Sequence, residues 1–183
     1  MKTTREFTSG MLRSAASVGF FPPSPAEIYE ARDLAIRAMG CEIATAEALS
    51  EIVRIQPAAI LVARQGAQLS AVVANLLLKA QAREKFAANL FSGRDPALED
   101  LCGPDDSPSI YYIWGVAGET KTARGGAMEL CRRLRYQALA SLTAFTRSAT
   151  PAGRRAAIAR LGFCPVSSSD DLLVSLPIRS SAS

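Results

Sequence analysis

The sequence predicts a mixed α/β (α+β) fold built as one domain, on three observations. Its 183 residues, 49% of them hydrophobic, are enough to fill one core. Apolar runs rich in branched and aromatic residues alternate with segments of helical period. Cap residues and glycine or proline stops bracket those helical segments. The order reads helices, hairpin, helix, then strand–helix–strand–helix–strand–strand, which is a layered α/β arrangement.

Residues 1–24 are weakly patterned and run into "PPSP", which reads as an arm or an ill-defined first strand. The domain proper is expected over 25–178, followed by a frayed tail, "RSSAS", at 179–183. Ser24 before Pro25 is an N-cap signal, Ile28, Ala31, Leu34, Ala35 and Ala38 recur at helical spacing, and Gly40 stops the helix. A second helix spans Thr45 to Ile55, closed by Pro57. "AAILVAR" and "LSAVVANLLL", joined by "QGAQ", form a hairpin signal. "KAQAREKFAANLF" returns to helix formers, and "SGRDPALEDLCGPDDSPS" is a polar connection with room for one helical turn. "IYYIWGVA" is a strand of aromatic and branched residues. Past Gly125-Gly126, the residues Ala127, Leu130, Cys131, Leu134 and Ala138 share one helix face, with Arg132 and Arg135 turned elsewhere. "ALASLTAFTR" reads as a strand, and Thr150-Pro151 opens a helix that Gly162 closes after Leu161. "FCPV" and "LLVSLPI" pair around the turn "SSSDD".

Net charge is +4, unevenly placed. Between 121 and 160, Lys121, Arg124, Arg132, Arg133, Arg135, Arg147, Arg154, Arg155 and Arg160 face a single acid, Glu129. That asymmetry suits either a phosphorylated small molecule or plain solvated helix faces, and nucleic acid less well. The chain has no histidine, which excludes histidine triads and histidine metal sites. Cys41, Cys102, Cys131 and Cys164 are too scattered for a cysteine zinc site, so no metal is expected and the thiols are read as free. No stretch is apolar for long enough to serve as a signal peptide or membrane span, and the expected location is cytoplasmic.

"KTARGGAMELCRRLRYQ" raises the functional question. Two glycines between a strand and a helix let bare peptide N–H groups approach an anion, where the helix dipole adds positive potential. Arg124 would add a charge-assisted contact. The same glycines equally suit a plain structural loop. Neither the Walker A pattern nor the dinucleotide fingerprint is present.

With "IYYIWGVAGE" before it and a strand, a helix and "RLGFCPV" after it, "TARGGAMELCRRL" resembles the GNAT superfamily of acyl-CoA N-acyltransferases. That family's loop reads Gln or Arg, two residues, Gly, one residue, then Gly or Ala. Gly125 and Ala127 match it, while Thr122 replaces the long polar residue. Leu161-Gly162-Phe163 resembles the family's helix-to-strand junction, and the hairpin "ILVARQGAQLSAVVANLLL" its second and third strands. The resemblance covers residues 26–178 by element order and is most specific over 110–165. It implies a central, mostly antiparallel twisted sheet with a splayed parallel pair and flanking helices.

It also implies a way of working. The co-substrate, acetyl-CoA or another acyl-CoA, would set its pyrophosphate on the amides of Arg124, Gly125, Gly126 and Ala127. Its pantetheine arm would follow the strand from Ile110 to Ala117. A small-molecule or protein amine would attack the thioester directly, with a backbone N–H from Trp114, Gly115 or Val116 on the oxyanion. A homodimer is compatible with this reading. The family's Asn near the start of the last helix and Tyr five residues before the Phe of "GF" correspond to Pro151 and Ile158 here.

Without histidine, proton chemistry falls to carboxylates, tyrosines, water or the free amine. Glu119 stands where the family places a base or relay, and is otherwise a loop glutamate. Tyr111 and Tyr112 point to opposite strand faces, so one of them, with Tyr112 the candidate, could meet the substrate, against the alternative of core aromatics. Trp114 packs in the core or lines an acyl pocket. Cys131 lies in an apolar stripe and reads as a packed side chain. Arg132, Arg133 and Arg135 reach an adenosine phosphate or face solvent, and Asp105 and Asp106 attract a cationic amine or serve the loop. Three readings follow: an N-acyltransferase, a non-catalytic GNAT-like CoA-binding or partner module, and a basic nucleic-acid binder, disfavoured by the modest charge and missing RNA-binding aromatics.

Overall fold

The computed structural model describes residues 2–40, 43–166 and 171–178. Three helices come first, α1 (Thr4–Ala16), α2 (Pro25–Met39) and α3 (Ala46–Ile55). The hairpin β1 (Ile60–Gln65) and β2 (Gln68–Leu78) follows, then α4 (Ala82–Ala87) and a single 3-10 turn at Leu98–Asp100. The second half runs β3 (Ile110–Gly118), α5 (Lys121–Arg133), β4 (Thr143–Arg147), α6 (Pro151–Leu161), β5 (Cys164–Pro165) and β6 (Leu172–Ser175). One six-stranded sheet has the order β1-β2-β3-β4-β6-β5. Only β3 and β4 are parallel, and every other neighbouring pair is antiparallel. This is the mixed α/β sheet with one parallel pair and flanking helices that the sequence implies.

Both faces of the sheet are covered, which is why β2 reads as an almost unbroken apolar run. On one face α1, α5 and α6 bury Phe7, Met11, Leu130, Leu134 and Leu161 against Tyr111 and Ile113. On the other, α2 and α3 pack Ile28, Leu34 and Leu49 against Ile60, Val72 and Ala117. Beside them α4 contributes Phe86, which stacks on Phe91 and Phe145 with ring centroids 4.3 and 4.6 Å apart. Among the described residues no helix is long and apolar enough to cross a membrane.

The first 24 residues are not an arm. Thr3 and Glu6 form a capping box, with the Thr3 N–H on Glu6 Oε2 at 2.8 Å, and α1 buries Phe7, Met11 and Ala15. Its remaining N-terminal amides reach loop carbonyls, Thr4 to Asp106 O at 2.8 Å and Arg5 to Pro104 O at 3.0 Å. The expected first strand shrinks to one residue, Phe21, which bridges Val62 on the free edge of β1. Elsewhere the caps are where the sequence puts them: Pro25 opens α2 and Gly40 closes it at φ 68°, while Thr150 opens α6 and Gly162 closes it at φ 68°.

Three other elements differ from expectation. The helix expected over 79–91 is confined to Ala82–Ala87, and Asn89 follows in the left-handed region at φ 58°. The strand expected over 138–147 holds only Thr143–Arg147, because α5 runs on into a π-helical turn, Leu134–Ala138. Finally, α5 starts at Lys121, so Gly125 and Gly126 lie inside it and not in a loop ahead of it. Thr120 caps it, accepting the Ala123 N–H on its hydroxyl at 3.1 Å. The turn "SSSDD" lies, except for Asp171, outside the described residues, as do Cys41 and the tail 179–183.

The glycine that brings α5 onto the sheet is Gly118. A Cβ there would stand 2.7 Å from the Arg124 nitrogen and 2.9 Å from the Ala123 carbonyl carbon, both backbone atoms that cannot swing aside. At Gly125 nothing lies within 4 Å of the same added atom. Gly118→Ala should therefore lower the urea-unfolding free energy by about 1–3 kcal/mol, as overpacked sites do. Gly125→Ala should raise it by about 1 kcal/mol through helix propensity.

Candidate active site

Trp114 is an extra residue in β3. Opposite β2, Gly115 pairs with Ala74 and Ile113 with Asn75, leaving Trp114 without a counterpart. Such a bulge locally breaks the alternation of a strand. Ile113 and Val116 face α5, while Trp114 and Gly115, consecutive residues, both face α2 and α3. At the same point β3 loses its other neighbour. The parallel pairing with β4 ends at Ile113–Thr146, where the Thr146 hydroxyl donates to Ile113 O at 3.0 Å. From Trp114 to Gly118 no described strand continues along that edge. A bulge and the end of parallel pairing thus coincide at Trp114, Gly115 and Val116.

An apolar cavity of about 40 Å³ opens on the bulge from the α2/α3 side, bordered by Trp114 and Gly115. The start of α5 lies on the opposite face of the sheet. Of the four expected phosphate amides there, Arg124 already donates to Thr120 O at 2.9 Å. Those of Gly125, Gly126 and Ala127 lie inside the helix, where they serve the helical ladder. The donors without an intrahelical partner are those of Lys121 and Thr122, with the positive end of the helix dipole behind them. Arg124 sits nearby, its Nη1 3.5 Å from Gly118 O. The unpaired amides at the start of α5 therefore lie one turn earlier than the glycines that the sequence indicates.

The two candidates for proton chemistry are not brought together. Tyr112 is buried among Phe86 and Phe91, at centroid distances of 5.4 and 5.1 Å. Burial pushes its phenol up to about 12, and it makes no hydrogen bond among the described residues. It is a core aromatic and not a side chain of the cleft. Tyr111, on the other face, donates to Asn75 Oδ1 at 2.8 Å and is also held neutral by burial. Glu119 lies five residues past Trp114, about 16 Å along an extended strand. It is exposed and ion-paired with Arg37 of α2 at 3.1 Å.

The remaining candidates have structural partners. Cys131 is fully buried, its thiol pushed up to about 12 by desolvation, which leaves it without thiolate character at neutral pH. Arg132 and Arg133 grip Glu129, with contacts of 2.8 and 2.9 Å that hold its carboxyl down at about 2. Arg135 does not face solvent. The π turn rotates it inward, and it donates to Ser175 Oγ at 2.9 Å and to Leu176 O. Asp105 pairs with Arg5 at 3.2 Å, and Asp106 accepts the Gly103 N–H at 2.8 Å, so both serve the loop under α1.

Sequence reasoning missed the cover on this site. The segment 79–109 between β2 and β3 folds over the α4 face and is tied to the bulge by Trp114 Nε1, which donates to Gly93 O at 2.5 Å. Arg147, at the end of β4, bonds Asn89 of the same segment at 2.7 Å and Asp171 at 2.6 Å. The wide gap between two strand-like runs was the available signal.

No protein-family model matches the chain, and no curated protein matches it in sequence. Solved structures do match. An acetyltransferase of Corynebacterium glutamicum, described as histone acetyltransferase HPA2 and related, superposes with a TM-score of 0.53 at 17% identity, over 89% of this chain and 98% of that one. An N-acetyltransferase of Staphylococcus aureus gives 0.53 at 13% identity, over 85% and 99%. This is the GNAT fold. A proposed acetyltransferase of Pyrococcus horikoshii gives 0.52 at 14% identity, over 80% of this chain but only 43% of that longer one. At these identities the GNAT likeness is one of architecture.

The geometry separates the two tyrosines by experiment. Tyr112→Phe, which removes no hydrogen bond, should leave unfolding within about 0.5 kcal/mol of wild type. Tyr111→Phe, which strands Asn75 Oδ1, should cost about 1–3 kcal/mol. Both phenols sit above their unfolded value of about 10. Stability is therefore full below that pH and should fall as pH rises through 10 to 12, as alkaline denaturation followed by circular dichroism will show.

Proposed function

We propose that the protein is an acyl-CoA-dependent N-acyltransferase, using acetyl-CoA or another acyl-CoA and an amine acceptor. The observation that carries this is the coincidence of the Trp114 bulge with the end of β3–β4 pairing. An edge with no strand partner leaves peptide groups for an extended amide-bearing substrate arm. The bulge turns an N–H of Trp114, Gly115 or Val116 toward a carbonyl oxygen that becomes an oxyanion. The α5 start suits a diphosphate through the Lys121 and Thr122 amides, with Arg124 beside them.

The reaction proceeds by direct attack. The amine nitrogen bonds to the thioester carbon, the C–S bond breaks, and the sulfur leaves as thiolate. The nitrogen's surplus proton passes to water. A thiol pKa of about 8.5 makes the thiolate a competent leaving group near neutral pH. That matters because the position filled by a tyrosine in the family is Ile158, and the only tyrosine on β3 near the bulge on the acceptor side, Tyr112, is buried. No side chain is assigned as base, and the acceptor enters as the free amine. Ile158 also favours a second reading, a CoA-binding module without turnover, which thioester cleavage with a panel of amines separates from the first.

Calorimetry with acetyl-CoA tests the binding half. Gly125→Glu has room to fold, and its carboxylate, one turn above the Lys121 amide, should weaken binding by about tenfold or more, while Gly125→Ala should not. Equal affinity in wild type and Gly125→Glu would remove α5 from the site. Turnover tests the chemical half. Log kcat/KM should rise with unit slope and level off at the pKa of whichever amine is used, moving with the amine and not with the enzyme.

A further inference from the structure

The cavity at the bulge is made by small side chains facing one another. Ala31 and Ala35 on α2 lie opposite Ala74 and Gly115 on the sheet, with Leu49 and Trp114 closing the sides. Protein interiors are otherwise close-packed, and unfilled apolar space costs stability. Among the described residues the one charged side chain on its wall, Arg32, sends its Nε to Ala44 O at 2.9 Å. A pocket so lined offers water few partners and favours an apolar group. Its position adds the rest: Trp114 and Gly115 both line it and form the bulge in β3.

Resting on the acyltransferase reading, we propose that this cavity seats a short aliphatic group carried by one of the two substrates that meet at the bulge. Its 40 Å³ hold about three heavy atoms. The group is either the acyl chain beyond the carbonyl, as in butyryl or isobutyryl, or the alkyl part of the amine. A charged or strongly polar substituent is excluded from it.

Calorimetry on the full chain with free CoA and with acetyl-, propionyl-, butyryl- and octanoyl-CoA tests the acyl source. Methyl-, propyl- and isobutylamine titrated into the CoA-saturated protein and followed by NMR test the amine source. The source that fills the cavity should gain about fourfold in affinity per methylene up to three carbons in the cavity and then stop. Gly115→Ala adds a methyl 3.8 Å from Ala74 Cβ, an ordinary contact, and should erase the last step of the gradient. Ala35→Val narrows the cavity from α2 and should do the same without touching β3. A gradient in either series, cut short by both variants, supports the proposal and names the source. Free CoA binding with both series flat overturns it and leaves the acyltransferase reading standing. No binding of free CoA ends that reading, and this inference with it.

Discussion

Inserting one residue into β3 changes three things at once, and most of the site descends from it. Up to Ile113 the strand alternates faces and is paired on both edges. At Trp114 the register against β2 slips, two neighbouring residues turn to the α2 side, and the partner on the other edge is gone. The end of the parallel pairing thus falls beside the irregularity in β3. The indole of Trp114 steadies that irregularity by bonding to Gly93 O at 2.5 Å. The inserted segment 79–109 is itself pinned: Gln56 bonds both Leu77 O and Cys102 O, at 2.7 and 3.0 Å, and Lys85 reaches the buried Asp100 at 2.6 Å.

The glycines around α5 divide the work in a way their sequence conceals. Gly118 lets the backbone of the first helical turn rest directly on the end of β3, so the helix N-terminus is delivered to the rim of the opening. Gly125 and Gly126 come after that contact, inside the helix, where they cost propensity. Gly125 lies open where a Cβ would be added, whereas a Cβ added at Gly126 would stand 3.8 Å from the Phe20 ring. A negatively charged group approaching the start of α5 therefore meets a bare helix surface above the free Lys121 and Thr122 amides. The glycines shape the approach, and the first turn supplies the donors.

What was legible in the sequence was whatever local chemistry fixes alone. Ser24-Pro25, Gly40, Thr150-Pro151 and Gly162 set their helix ends without help from tertiary contacts. The β1–β2 hairpin and β3 followed from branched and aromatic runs. The losses have identifiable physics. The apolar stripe of α1 is one residue wide, Phe7, Met11 and Ala15, in a polar setting, and only the Thr3–Glu6 capping box announced it. Arg135 was placed on a solvent face by a period of 3.6, but the π turn resets the period at Leu134 and turns the guanidinium inward. Tyr112 read as a cleft residue because alternation gives a face and says nothing of what covers it; Phe86 and Phe91, from the inserted segment, cover it. Trp114, Gly115 and Val116 were legible as a stretch, whereas the slip that makes them unlike the rest of β3 depends on pairing with β2.

On the acyltransferase reading, a site with no histidine and two buried tyrosines on its central strand has little means of moving protons. Its chemistry must be one that positioning alone can drive. Aminolysis of a thioester meets that condition: the nucleophile is a neutral amine, the leaving thiolate is stable near neutral pH, and the charge to be met in the transition state falls on one oxygen. On that reading a backbone N–H at the bulge would supply that stabilisation without titrating, and orientation of the two substrates the remainder of the acceleration. Oxygen esters and amides, whose leaving groups need a proton donor, would make demands that these residues do not meet. On the acyltransferase reading, the few acid–base groups among the described residues suit a thioester donor better than an oxygen ester or an amide.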